Sequence, residues 1–222
     1  MCEGIECVMR DLRNGWYATD LVDAAKNCNL PKLREQDYDD IEDLIYDPRV
    51  VKYREIFKEN WESNKKFAII MDCSPVKPYF SSPSHMKVHS SIEKNGLEDK
   101  VQVYTASDPM GLVPYEHETK YPIYAYEMKS GFSDKAFDIM IDVFEEQFEC
   151  IKNNHEYWIT FIPAAKLGMV KGAMKRVGIL STDVPYGLYE DPPIKEMVDE
   201  LERTGKCDIF NHSADWSITG VS

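Results

Sequence analysis

The residues best placed to do chemistry lie between Asp72 and His85. Asp72, Cys73, Ser74, Lys77, Tyr79, Ser82, Ser84 and His85 gather a carboxylate, a thiol, an ammonium, a phenol, an imidazole and several hydroxyls into one short segment. Cys73 is a candidate nucleophile, Lys77 a cation, Tyr79 a donor or stacking ring, and His85 an acid or base. Pro75, Pro78 and Pro83 each fix their own φ and remove one backbone donor, so the segment should follow a stiff path that holds those groups in place. The same residues also suit an ordinary surface loop beside a buried Cys, because Pro and Ser are common in loops.

The elements around this segment give it a location. An unbroken apolar run, Phe67 to Met71, reads as a strand buried on both faces, as in parallel sheets, with the polar residues emerging at its carboxyl end. That end is where ligands bind in open α/β sheets. Ser84 to Lys94 should form the helix that packs back, ended by Asn95-Gly96. Val101 to Thr105 is a second strand, followed by a long crossing from Ala106 to Tyr121 that carries Asp108, Glu116 and His117. Crossings of that length are commonly functional, although Leu112, Val113 and Tyr115 would equally plug a core. Pro122 to Tyr126 reads as a third strand and Tyr157 to Ile162 as a fourth.

Helices are expected from Thr19 or Asp20 to Asn29, from Tyr38 to Tyr46, from Asp47-Pro48 toward Glu62, after a Ser133 cap, from Pro163 to Arg176, and from Ile194 to Arg203. In the helix after Ser133, Phe137, Ile141, Phe144 and Phe148 recur at helical spacing as a core stripe. Alternating strands and helices imply an α/β fold with right-handed crossovers and a parallel sheet sandwiched between helices. Residues 1–47 would be an N-terminal helical appendage and residues 48–222 the α/β core.

A chain of 222 residues with 43% apolar composition can bury a sizeable core. Its formal net charge of −13 argues against a broad hold on phosphates, leaving at most a local basic patch around Lys166, Lys171, Lys175 and Arg176. Six cysteines without a C-x-x-C pair, no secretory signal and no apolar stretch long enough to span a bilayer point to a reduced, cytoplasmic protein with no membrane contact. Cys2, Cys7 and Cys28 suit free thiols better than a metal or cluster remnant. His85 and His89 would share a helix face, but the local sequence offers no third ligand, and the acidic run from Asp37 to Asp43 reads as a solvated helix face. No metal and no cofactor are expected.

The order Cys73-Ser74, Lys77-Pro78-Tyr79, Ser82, Ser84-His85 resembles the C-S-x-x-K-P-Y-x-x-S-x-S-H core of a motif in archaeosine synthases, the archaeal tRNA-modifying relatives of tRNA-guanine transglycosylases. Those enzymes usually carry Pro where this chain has Asp72. Ser107-Asp108-Pro109-Met110-Gly111-Leu112-Val113-Pro114-Tyr115-Glu116 and Tyr121-Pro122 resemble that family's S-x-D-P-L-G-x-V-P-x-E and Y-P segments. The resemblance spans roughly residues 48 to 180, the central domain of the full-length enzymes.

It implies a uracil-DNA-glycosylase-like three-layer α/β/α fold with a central four-stranded parallel sheet and a site in the loops after the first two strands. The implied reaction adds lysine to the nitrile of 7-cyano-7-deazaguanine seated in tRNA, giving an amidine. A partner chain of transglycosylase type would be needed and a radical-SAM lyase is a further candidate partner, with tRNA held indirectly through a partner. Under that reading Cys73, Lys77, His85 and Asp108 are the catalytic candidates, and Asp72, Ser74, Tyr79, Ser82, Ser84 and Glu116 the substrate-binding ones. Asp72, Asp108 or Glu116 would pair with a cationic group, Lys77 or Ser74 with a carboxylate, His85 would move protons, and Cys73 would form a transient thioimidate or serve as a structural thiol. A noncatalytic binding module that kept the pocket, and a glycosylase-like enzyme acting on a free nucleobase, are the alternatives.

Overall fold

The computed structural model describes residues 30–127, 133–185 and 192–207. The helix expected before Asn29, and Cys2, Cys7 and Cys28 with it, lie outside them. In chain order the described elements are β1 (Leu33–Arg34), α1 (Ile41–Ile45), α2 (Pro48–Asn60), β2 (Phe67–Asp72), α3 (Pro83–Lys94), β3 (Val101–Ser107) and β4 (Gly111–Pro114). They continue with β5 (Tyr126–Glu127), α4 (Asp134–Ile151), β6 (Tyr157–Phe161), α5 (Ala164–Arg176), β7 (Ser181–Asp183) and α6 (Ile194–Thr204).

The main sheet has the order β4-β3-β2-β6-β7. Its centre, β2, pairs in parallel with β3 on one side and β6 on the other, so that Ile69 lies between Val103 and Ile159. Alternation along β2 splits the core into two layers. Ala68 and Ile70 face a cluster with Tyr53 and Phe57 of α2, Phe144 and Phe148 of α4, and Met169 and Val170 of α5. Phe67, Ile69 and Met71 face the opposite cluster, with Val88 and Ile92 of α3 and Met197 and Val198 of α6. Helices therefore cover both faces, which is why β2 can be apolar at every position.

Two expectations about the sheet are corrected. Four strands, β3, β2, β6 and β7, do run parallel, but the sheet has five, because β4 folds back antiparallel on β3 with Ala106 opposite Leu112. Pro122 to Tyr126 is not a main-sheet strand. Ile123–Ala125 is a 3-10 turn and Tyr126–Glu127 pairs with Leu33–Arg34 in a separate two-stranded sheet. Pro122 lacks the donor that a central strand needs. The fourth parallel position is taken by β7, three residues long and polar.

Local signals held where a side chain meets backbone. Asp47 accepts a hydrogen bond from the Arg49 backbone N–H with Pro48 opening α2, and Ser133 accepts one from Ala136 at the start of α4. Leu33, Leu44 and Ile45, ahead of α2, are fully buried in the same cluster as Val50 and Phe57.

Candidate functional site

Asp72 ends β2, Asp108 follows β3, and Lys166 lies in the first turn of α5, just after β6. Because β3, β2 and β6 are parallel neighbours, their carboxyl ends bring these three residues together. The Lys166 ammonium lies 2.8 Å from Asp72 Oδ1 and 2.7 Å from Asp108 Oδ2, two salt bridges in a largely buried setting. It also donates to Cys73 Sγ at 3.1 Å and to the Ala106 carbonyl at 3.2 Å. The two motif segments thus meet on one cation from a third segment.

The electrostatics follow from burial against charge. Burial alone would lower the Lys166 pKa, but Asp108, Cys73 and Asp72 together raise it well above its ordinary value, so the ammonium stays charged. Burial pushes the Asp108 carboxyl up, with Lys166 opposing, and its Oδ1 has no hydrogen-bond partner. Burial likewise pushes the Cys73 thiol up despite the nearby ammonium. Cys73 therefore rests as a thiol within reach of a proton-bearing group.

The rest of the motif loop forms the wall of this cluster. Lys77 donates to the Ser74 carbonyl at 3.0 Å and lies over the rings of Tyr79 and Tyr126, 4.4 and 4.0 Å from their centroids. Burial pushes its pKa down to about 8, which makes a neutral amine accessible near physiological pH. The Tyr79 hydroxyl shares hydrogen bonds with Ser107 Oγ and the Tyr126 hydroxyl, and Ser107 and Tyr126 share a third. This buried triangle ties the motif loop to the end of β3 and to β5. His85, fully buried, donates from Nε2 to the Asp72 carbonyl at 2.8 Å, and burial lowers its pKa, so it is neutral. The bonds Lys77–Pro78, Asp108–Pro109 and Tyr121–Pro122 are cis.

The structure brings Asp72, Cys73, Ser74, Lys77, Tyr79, His85 and Asp108 around one centre. Ser82, at the N-cap position of α3, and Ser84 lie 3.5 Å apart through their hydroxyls at the edge of the loop. Glu116 lies elsewhere: it accepts from Gln102 Nε2 at 2.9 Å and faces Lys65 on the flank of the sheet. Two residues further on, Glu118 turns inward and accepts from the Phe80 backbone N–H at 2.7 Å and from Thr105 Oγ1 at 3.2 Å.

Lys166 and Glu118 are the residues that sequence reasoning missed. In the sequence Lys166 reads with Lys171, Lys175 and Arg176 as a local basic patch, but that patch is largely neutralised. Lys171 pairs with Asp183 and Arg176 with Asp142 and Glu145. The signal available for Lys166 is its place just after Pro163, which follows β6 and caps α5, at a parallel-strand carboxyl end. A surface hollow of about 430 Å³ near β1, lined by residues such as Arg34, Tyr38 and Glu127, includes none of the motif residues.

Known proteins match this chain in sequence and in fold. Residues 50–204 match the family described as Domain of unknown function (DUF5591). Archaeosine synthase subunit alpha of Thermoplasma acidophilum is 34% identical over 89 residues, 40% of this chain and 17% of that protein. Archaeosine synthase of Haloferax volcanii is 25% identical over 187 residues, 82% of this chain and 29% of that protein. The chain thus spans less than a third of the length of either curated relative. The crystal structure of AF0587, a protein of unknown function, superposes with a TM-score of 0.50 at 16% identity, covering 71% of this chain and 52% of that one, and shares the fold. With its motif loops joined at the ends of β2 and β3 and most of its length matched, the chain belongs to the DUF5591 family and is related in sequence to the archaeosine synthases over that stretch.

Proposed function

We propose that this chain acts in archaeosine formation, carrying the step that joins lysine to the nitrile of 7-cyano-7-deazaguanine in tRNA alongside a transglycosylase-type partner. The observation that carries this reading is the Lys166 ammonium held between Asp72 and Asp108 with the Cys73 thiol at 3.1 Å. The uracil-DNA-glycosylase-like arrangement implied by the resemblance belongs to the same reading.

The chemistry balances on groups already present. Cys73 adds to the nitrile carbon, forming a C–S bond while the thiol proton passes by way of Lys166 to the nitrile nitrogen, which gives a thioimidate. Lysine, deprotonated by the neutral amine of Lys77, then forms the C–N bond. The C–S bond breaks, and the sulfur is reprotonated by the proton that the attacking amine gives up. Lys166 stabilises charge on sulfur and nitrogen in turn from a fixed position that needs no reorganisation. Cleavage of the lysine adduct falls to a radical-SAM lyase in this reading.

The test is turnover with the partner, read as lysine incorporation into tRNA by mass spectrometry. Cys73→Ala should lose incorporation at least a hundredfold, and full turnover in Cys73→Ser would end the thioimidate route. A second reading, a noncatalytic module that retained the pocket, is favoured by Asp72 standing where the resembling enzymes usually carry Pro. It predicts that lysine or deazaguanine raises the melting temperature without turnover in any combination with partners.

A further inference from the structure

Apart from the Lys166 cluster, a second set of groups converges behind the motif loop. His85 and His89 lie one turn apart on α3, and Glu118 reaches them from the crossing after β4. One donor atom from each lies within 4.8 Å of the other two. His85 Nδ1 and His89 Nε2 are buried without any hydrogen-bond partner, which is costly for neutral imidazoles in a packed interior. We propose that His85, His89 and Glu118 bind a divalent cation of the zinc class, with at least one coordination position left for water or a substrate atom.

The chemistry of each donor fits. The His85 Nε2 contact is to a carbonyl, which only accepts, so Nε2 carries the proton and Nδ1 presents its lone pair. A metal-bound histidine characteristically donates its other N–H in this way, which fixes ring and tautomer. Glu118 is fully buried and its carboxyl is tethered by Phe80 N–H and Thr105 Oγ1, with lone pairs to spare on both oxygens. Lys65, whose charge bears on His89, faces Glu116 at 3.8 Å.

Two imidazoles four residues apart on a helix plus one carboxylate is a donor set suited to zinc and typical of sites that keep an open position. Tetrahedral zinc needs donors about 3.4 Å apart, so closing the set requires side-chain movements of about an ångström. The ion would lie one residue away from the reacting cluster, since the His85 ring that ligates it also holds the Asp72 carbonyl. The inference is independent of the function proposed above.

The test uses the full chain with Cys2, Cys7 and Cys28 replaced by serine, stripped with chelator and dialysed against Zn2+. Metal is counted by plasma mass spectrometry and thermal unfolding is followed with and without Zn2+. One zinc per chain and a higher melting temperature are expected, as is the absorption of a low-coordinate site with Co2+. His89→Ala and Glu118→Gln should each weaken binding at least tenfold, and His89→Gln serves if the alanine variant does not fold. Loss of metal in the serine variant, or unchanged affinity in both His89→Ala and Glu118→Gln, would overturn the assignment.

Discussion

Lys166 is the residue on which the site depends, and its removal should show in stability before it shows in turnover. Lys166→Met leaves Asp72 and Asp108 close together with no counter-charge, a change that costs about 3–5 kcal/mol when a buried pair is broken. The deficit should shrink as the pH falls. Without the ammonium, Asp108 has a folded pKa further above its unfolded value, so the native state binds more protons and gains stability toward acid. Urea unfolding at pH 7 and pH 5 measures this, and adding Asp108→Asn should recover part of the loss.

Lys77 has the opposite linkage. Its folded pKa of about 8 lies below the ordinary 10.5, so the unfolded chain binds more protons between those values and stability rises with pH across that window. The stability of the parent relative to Lys77→Met should therefore improve from pH 8 to pH 10, by up to about 2 kcal/mol. A pH-independent difference would mean that Lys77 is not desolvated. The place of Lys166 could not be read from residue order. A lysine near three other cations reads as a solvent face until β6 is known to lie beside β2, whereas Cys73, Lys77, His85 and Asp108 announced themselves by their types and spacing.

Among the elements, the β3–β4 hairpin sets the position of Asp108, and a single glycine lets it form. Gly111 has φ +80°, and a Cβ there would overlap Gln147 Oε1, the atom that accepts from Leu112 N–H in the buried core. Gly111→Ala therefore combines left-handed strain with a broken buried hydrogen bond and should cost at least about 2 kcal/mol in denaturant unfolding. The same reasoning explains which elements were legible. β2 and α2 carry strong apolar or capping signals, and α4 carries both. β4 was hidden in a stretch that reads as a loop because Pro109, Gly111 and Pro114 crowd it, and β7 is a polar triplet, Ser181-Thr182-Asp183, with no apolar period to find. Pro122 to Tyr126 imitates a strand by composition, but proline and the pull of β1 send it to a separate pairing.

At the scale of the whole molecule, charge decides what the chain can hold by itself. A net charge of −13, with Lys171 and Arg176 paired to carboxylates and Lys166 enclosed, leaves little to release counterions from a phosphate backbone. If the chain works as proposed, the isolated chain should bind tRNA in mobility-shift titrations at least tenfold more weakly than the proposed complex with a transglycosylase-type partner, and equal affinity would contradict this division of labour. Among the described residues no helix is long and apolar enough to cross a membrane. The most direct measurement is transfer of isotope-labelled lysine to tRNA bearing 7-cyano-7-deazaguanine, with the chain and its partner together and nucleosides read by mass spectrometry. A labelled adduct with the parent chain, lost at least a hundredfold in Asp108→Asn and in folded Lys166→Met, is the predicted result. An adduct formed equally well by both variants, or none with the parent chain, would contradict the account.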